Sequence, residues 1–373
     1  FPVLRETFIA REIIELERRG IRVKVVALRS DAQETGAREK PAAEVLYPPF
    51  LSPAVLVDAF VEFARHPLSV LKSIFYIVFR LIRKPVRAVK FVALLPKILH
   101  LCRIFRRQNV FHIHAHWATV PTTCALFISR VTGIPFSFTA HAWDIHVRGN
   151  EYLLIEKIEA AKRVFTCTSY NRQRLIEMGS ADKIELMYHG IEMDRYRFCE
   201  DKPEGLPLVL AGGSLTSQKG LADLVEALGL LNQQGVTFRA VIFGEGPERD
   251  DLERRIRSTG LSGSIKLIGT CHHDRVIELM QRAMVFVMPS KRAPGGFIDG
   301  LPNVVAEAMA CGACVVASRF SGIPELVNDG ENGILVEPGD RQAFATAIGS
   351  VLSGDDFRPR YIRNARKKVE RMF

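Results

Sequence analysis

Short apolar runs alternate with amphipathic stretches along almost the whole chain. Runs rich in Val, Ile and Phe at residues 21–28, 110–114, 136–139, 163–168 and 184–189 predict strands in the first half. A second set at residues 206–211, 237–243, 265–268, 285–288, 313–317 and 333–336 predicts six more. The stretches between them, such as residues 221–233 and 248–258, carry apolar positions at helical spacing. Regular alternation of strand and helix implies parallel sheets covered by helices. Between the two sets lies DRYRFCEDKPEGLP, residues 194–207, polar and holding two prolines and a glycine. It reads as a linker, and it divides the chain into residues 1–200 and 201–373. The length of 373 residues is enough for two domains with separate cores.

One segment departs from this alternation. From Phe63 to Trp143 there is no Asp or Glu, but there are twelve Lys or Arg. That local +12 exceeds the +10 of the whole chain, so the remainder is net −2. The part HPLSVLKSIFYIVFRLIRKPVRAVKFVALLPKILHLCRIFRR is also rich in Leu, Ile, Val and Phe. At 100° per residue Lys72, Arg80, Arg83, Arg87 and Lys90 fall in an arc of roughly 80°. Pro85 breaks the helix. Cations beside an apolar face suit helices lying in a membrane interface. The alternative is a buried helix pair with a solvated basic face. Nucleic acid fits less well, because no loops present aromatics for base stacking. The insert of about residues 51–108, and its basic part 63–107 above all, is therefore expected to meet an anionic membrane surface.

Composition changes the picture little. Hydrophobic residues make up 47% and charged residues 25%, as in globular proteins. No run approaches the length of a spanning helix. The seven cysteines are odd in number and dispersed, which points to reduced thiols and a cytoplasmic setting rather than a disulfide framework. Cys311 and Cys314 form a CxxC without a partner pair, and a redox or zinc role is not expected.

The richest chemistry runs from Gly296 to Glu325, GFIDGLPNVVAEAMACGACVVASRFSGIPE. Asp299 and Glu307 stand eight positions apart around a helix start, with Gly300, Leu301, Pro302 and Asn303 between them. Gly300 allows close backbone approach, and Pro302 suits a first helical turn. The free N–H groups there favour an anion, and Glu307 can accept hydrogen bonds from sugar hydroxyls. The loop from Gly212 to Gly220, GGSLTSQKG, adds glycines and the cation Lys219 for a diphosphate. Gly244-Glu245-Gly246-Pro247 reads mainly as a turn. In the first half, His112, His114 and His116 alternate on one face of a strand. A metal is one reading of that face; packed imidazoles, with His116 alone facing a ligand, are the other.

These segments together resemble the retaining GT-B glycosyltransferases of family four. DGLPNVVAEAMACGACVV followed by SGIPE is similar to the family's E-x7-E signature, EG(L/I)PNVLLEAMAxGxPVV and GGIPE, with Asp299 at the first Glu and Cys314 at a usual Pro. The loop ending in Lys219 resembles G-R-L-x-x-x-K-G, with Ser214 at the Arg. Lys291 or Arg292 could replace that missing cation. FSFTAHAWDIH resembles FTxHAxDI, and HIHAHWAT resembles xxHAHFAxxP. YHGIEMDRY, with His189 and Gly190, resembles a structural turn of the family. The start, FPVLRETFIAREIIELERRG, resembles YPxLSETFIxxEIxxLxxRG, with Arg5 at a Ser, and the nearest look is to exopolysaccharide and colanic-acid-type enzymes.

The resemblance implies an α/β GT-B fold, two Rossmann-like domains facing across a cleft. It implies a fragment, lacking the first strand before residue 1 and the last helix after residue 373. It implies a UDP- or GDP-sugar donor on the second domain, held by Gly213, Ser214, Lys219, Asp299, Gly300, Leu301, Pro302, Asn303 and Glu307. His116, His141 and Asp144 would serve the acceptor side, with His141, Asp299 and Lys219 nearest the chemistry. The loop from residue 269 to 274 would read the base. The acceptor would be a lipid-linked saccharide at the inner face of the cytoplasmic membrane, with no metal, cofactor or nucleic acid. The alternatives are a sugar-nucleotide epimerase of the same fold and a non-catalytic membrane-associated subunit. A dehydrogenase would need a complete GxGxxG after the first strand, which is not present.

Overall fold

The computed structural model describes residues 7–28, 42–354 and 356–373. The start of the resembling first loop, Arg5 included, lies outside the described residues. The chain forms two compact units. The first holds residues Phe1–Thr166 and Arg172–Gly190, and the second Cys167–Asn171 and Ile191–Phe373. The division by packing thus falls ten residues before the expected one. The reason is Tyr196, which the polar composition of its neighbours disguises as linker: it is fully buried in the second unit.

The first unit starts with α1 (Thr7–Arg18), then β1 (Lys24–Val26) and β2 (Glu44–Leu46), which pair in parallel as a separate small sheet. The insert follows as α2 (Pro53–Arg65), α3 (Pro67–Arg80) and α4 (Pro85–Arg107). Each begins with a proline at its first turn, where the missing N–H costs nothing. Ser52 caps α2 by accepting the Val55 N–H. A four-stranded parallel sheet comes next, in the order β3 (Ile113–His116), β4 (Phe136–Ala140), β5 (Val164–Thr166) and β6 (Ile184–Leu186). The crossovers are α5 (Val120–Thr132), the short α6 (Trp143–His146), α7 (Leu154–Ala160) and α8 (Ser169–Ile176), whose first residues belong to the second unit. Each strand expected here from sequence is found: β1, β5 and β6 are shorter than expected, β3 begins three residues later, and β4 is one residue longer. β2 is not legible because EVL is too short to show alternation.

The second unit has six parallel strands: β7 (Leu208–Gly212), β8 (Arg239–Phe243), β9 (Ile265–Leu267), β10 (Val285–Met288), β11 (Cys314–Ser318) and β12 (Ile334–Val336). Their connections are α9 (Leu221–Gln233), α10 (Arg249–Ser258), α11 (His273–Arg282), α12 (Asn303–Ala310), α13 (Ile323–Leu326) and α14 (Arg341–Leu352), with α15 (Phe357–Met372) last. The central strands VFVM and CVVAS are buried along their whole length, as continuous apolar runs covered on both faces must be. The sheet order is β12-β11-β10-β7-β8-β9. Order reverses between β7 and β10, and ligands of doubly wound sheets bind outside the strand ends at that point.

Candidate functional site

The loops that leave β7 and β10 meet at the reversal of strand order. Gly220 has φ +64°, and a Cβ there would lie 1.9 Å from the Pro289 carbonyl oxygen just past β10. Only glycine permits so close an approach. This contact delivers Lys219 to Asp299, with Nζ 2.9 Å from Oδ2 and both side chains largely buried. The two groups assigned from sequence to a diphosphate and a sugar are therefore neighbours. The ammonium has three protons, so one can stay with Asp299 while two serve a ligand. Gly213 leaves space at the loop. Its N–H is taken by the Phe243 carbonyl, so it supplies room beside the Lys219 chain, not a donor. Ser214 turns its hydroxyl to Thr216, 3.2 Å away. The Gly244–Pro247 turn braces this loop: the Glu245 carbonyl accepts the Leu215 N–H, and the Leu215 carbonyl the Glu248 N–H.

The two expected stand-ins for the missing arginine are both engaged within the second unit. Lys291 is committed to buried Asp223, which it shares with Arg341. Arg292 donates to the Tyr170 hydroxyl at 3.3 Å.

Beyond Asp299, Leu301 and Pro302 are buried, and Pro302 is the N-cap of α12, one position earlier than a first-turn residue. Asn303 opens the helix, and Glu307 projects from its second turn, 5% exposed. Its Oε1 accepts the Tyr196 hydroxyl proton at 3.0 Å. The Tyr196 oxygen lies 2.9 Å from His273 Nε2. Because the single tyrosine proton goes to the carboxylate, His273 Nε2 is the donor of the other bond. Arg366 of α15 then holds both the Tyr196 and the Ala310 carbonyls. Glu307 is thus fixed by a chain of three elements.

The SGIPE turn holds the motif from its other side. Ser321 donates to the Asp299 carbonyl at 2.6 Å. The Gly322 N–H points at the Gly300 carbonyl, 3.4 Å away. A Cβ on Gly322 would fall 2.4 Å from the Thr168 methyl. Glu325 accepts the N–H groups of Ser169 and Tyr170. The sequence assigned no role to Tyr196, His273, Ser321 or Glu325, because partners 22 to 156 positions away leave no local signal. Cys311 and Cys314 are both buried, and burial pushes each thiol up to about 12, which disfavours the reactive thiolate.

In the first unit the ends of β3 and β4 carry a cluster of rings. Phe8 of α1 stacks on His189, with centroids 4.3 Å apart. Trp117 lies 4.2 Å from His141, which also approaches His116 at 5.7 Å. Trp117 holds a left-handed φ of +75°. Burial, aided by neighbouring imidazoles, pushes His116 to about 3 and His141 well below the ordinary histidine value. Both rings are therefore neutral. Phe8 and Trp117 were not singled out from sequence.

Asp144 requires a correction. It is fully buried and accepts the N–H groups of Ala118 and His141, while burial raises its carboxyl to about 6. Its oxygens hold backbone, so it positions the His141 turn instead of presenting an oxygen to an acceptor. The alternating histidines also separate. His112 and His114 share the Ser137 hydroxyl, and His114 reaches Thr139 as well. Glu12, His114 and His116 bring ligand atoms within 4.8 Å of one another, but the nitrogens of His114 are already engaged.

Comparison with known proteins decides the family. The model of Glycosyltransferase Family 4 matches residues 6–195, and that of Glycosyl transferases group 1 matches residues 192–368. The chain belongs to glycosyltransferase family 4. Among curated relatives it is 34% identical over 204 residues to the amylovoran biosynthesis glycosyltransferase AmsK of Erwinia amylovora, covering 54% of this chain and 50% of that protein. It is 35% identical over 204 residues to WcaL of Escherichia coli, named for colanic acid biosynthesis, with the same coverage. The matched region spans about half the length of these relatives. Anabaena HepE in complex with UDP-glucose superposes with a TM-score of 0.64 at 22% identity, over 74% of this chain and 78% of that one. Sucrose-phosphate synthase of Thermosynechococcus elongatus gives 0.71 at 19%, over 99% and 89%. At these identities the likeness shows the fold, which is GT-B.

Proposed function

We propose that the protein transfers a sugar from a nucleotide-sugar donor to a lipid-linked saccharide, with retention at the anomeric carbon, in the synthesis of a cell-surface or exopolysaccharide. The observation that carries this reading is the Lys219–Asp299 pair at the strand-order reversal of the second unit, beside the fixed carboxylate of Glu307. Bond breaking leaves negative charge on the departing diphosphate, and a preorganised ammonium in a partly dry site stabilises it. Glu307, held by Tyr196, accepts hydrogen bonds from the ribose hydroxyls. Asp299 accepts from a hydroxyl of the sugar. Gly300 and Asn303 bring backbone to the same ligand, and Leu301 and Pro302 wall it. The neutral rings of His116 and His141 suit an uncharged saccharide. The UDP-glucose held by HepE supports a uridine nucleotide as donor, and the relatives' names support a polysaccharide product. A lipid-linked acceptor places the enzyme at the inner face of the cytoplasmic membrane.

Saturation-transfer NMR with UDP, GDP, ADP and CMP tests the donor site. One nucleotide should bind, and Lys219→Ala and Glu307→Ala should each abolish its signal. Equal binding by both variants would remove the assignment. Turnover of the donor sugar with no acceptor present would favour an epimerase.

A further inference from the structure

We propose that α2, α3 and α4 seat the protein on an anionic phospholipid bilayer, and that insertion of apolar side chains, more than positive charge, supplies the binding. The outer face of α3 is the central observation. Leu68 and Phe75 are each 70% exposed and Phe79 is 60% exposed, and Ile82, just past the C-cap of α3, is 70% exposed. The three positions on α3 recur at helical spacing, so they form one stripe. The opposite face of α3 buries Val70, Ser73 and Ile77 against the unit's core. Phe60 of α2 and Val89 of α4 extend the apolar surface, at 70% and 68% exposure. A helix that is apolar on both faces needs a second apolar neighbour. The outer face of α15 shows the ordinary alternative, with Arg363 61% exposed and paired to Glu200.

The charges of the insert do less than the sequence implied. Arg80 pairs with Glu156, Arg103 with Asp58 and Arg106 with Glu62. Arg87 donates to Asn150 and lies over Tyr152, Arg130 lies over Tyr76, and Lys97 donates to the Leu28 carbonyl. Half of the twelve cations thus serve the fold. Lys72, Arg83 and Lys90 are exposed and each follows an exposed apolar residue. Their stems can lie along the apolar surface while their charges reach headgroups. That pattern selects the occupant. A second copy would meet this face with the same cations, and residues 63–143 hold no carboxylate to answer them. An anionic bilayer answers both the apolar stripe and its cations. The inference deepens the membrane location proposed above and rests on it. Its test reads lipid binding alone, so failure leaves the donor site untouched.

Flotation of the whole chain with vesicles of phosphatidylcholine, with and without phosphatidylglycerol, decides it. The protein should bind both, tighter to the anionic ones, and keep most of that binding in molar salt, where screening acts within about 3 Å. Phe75→Ser with Phe79→Ser should weaken binding about tenfold or more, with an unchanged unfolding midpoint. Lys72→Ala with Arg83→Ala and Lys90→Ala should remove the anionic preference, a change of about a few fold. Three results would overturn the proposal: release by salt, unchanged binding of the double serine variant, or self-association in solution that the same variant abolishes.

Discussion

The two units present opposite chemistry at the ends of their sheets. The second offers formal charges, Lys219 against Asp299 with Glu307 fixed nearby. The first offers neutral rings, with His116 and His141 kept uncharged by burial and framed by Phe8 and Trp117. Similar strand–helix architecture thus yields a charged surface in one unit and a surface of neutral rings in the other, which the proposed function assigns to the donor's diphosphate and to an uncharged saccharide. The difference lies in what the loops after the strands carry, not in the sheets. It also means that the two surfaces should fail differently when altered.

The largest effect is expected at the charged surface. Lys219→Ala should lower kcat/KM by about 100- to 1000-fold and abolish nucleotide binding. His141→Ala should cost less, about ten- to a hundredfold in turnover, and leave nucleotide binding as it was. Steady-state kinetics with NMR titration separates the two; nucleotide binding lost in both variants would erase the contrast. Tyr196→Phe removes a hydrogen bond to a carboxylate, which is worth about 1.5–3 kcal/mol. It should raise donor KM about tenfold and change kcat much less. An unchanged KM would mean that Glu307 holds its place without the tyrosine.

The smallest effect concerns stability in acid. His114 is pushed to about 4 and His116 to about 3 by burial, whereas an unfolded histidine titrates near 6.5. As pH falls below about 6.5 the unfolded chain binds protons that the folded unit does not, so stability is lost from there toward about 3. Glu12 and Asp144, each raised to about 6 by burial, act in the opposite direction below about 6 and reduce the slope. Both tryptophans, Trp117 and Trp143, lie in the first unit, so their fluorescence follows its unfolding alone. His116→Asn should flatten the acid slope of that transition. An unaltered slope would place the proton uptake elsewhere.

Much of this molecule was legible in its sequence because strands and motifs are local signals. Apolar runs located the strands of both larger sheets, and Pro85 marked the break between two helices of the insert. The Asp299–Glu307 spacing and Lys219 named the charged surface before any fold was known. Asp144 was misjudged for a physical reason: a motif shows that a carboxylate is present, not whether its oxygens face a ligand or backbone N–H groups.

The rest was decided only in three dimensions. Sheet order placed the loops after β7 and β10 side by side, and so turned two separate predictions, Lys219 and Asp299, into one ion pair. Packing took Tyr196 out of an apparent linker and set it against Glu307, 111 positions away. It also paired Arg80, Arg103 and Arg106 of the insert with carboxylates and left Phe60, Phe75 and Phe79 in solvent. Composition counts charges and apolar groups, but which of them meet depends on distances that the chain acquires only when its helices cover its sheets.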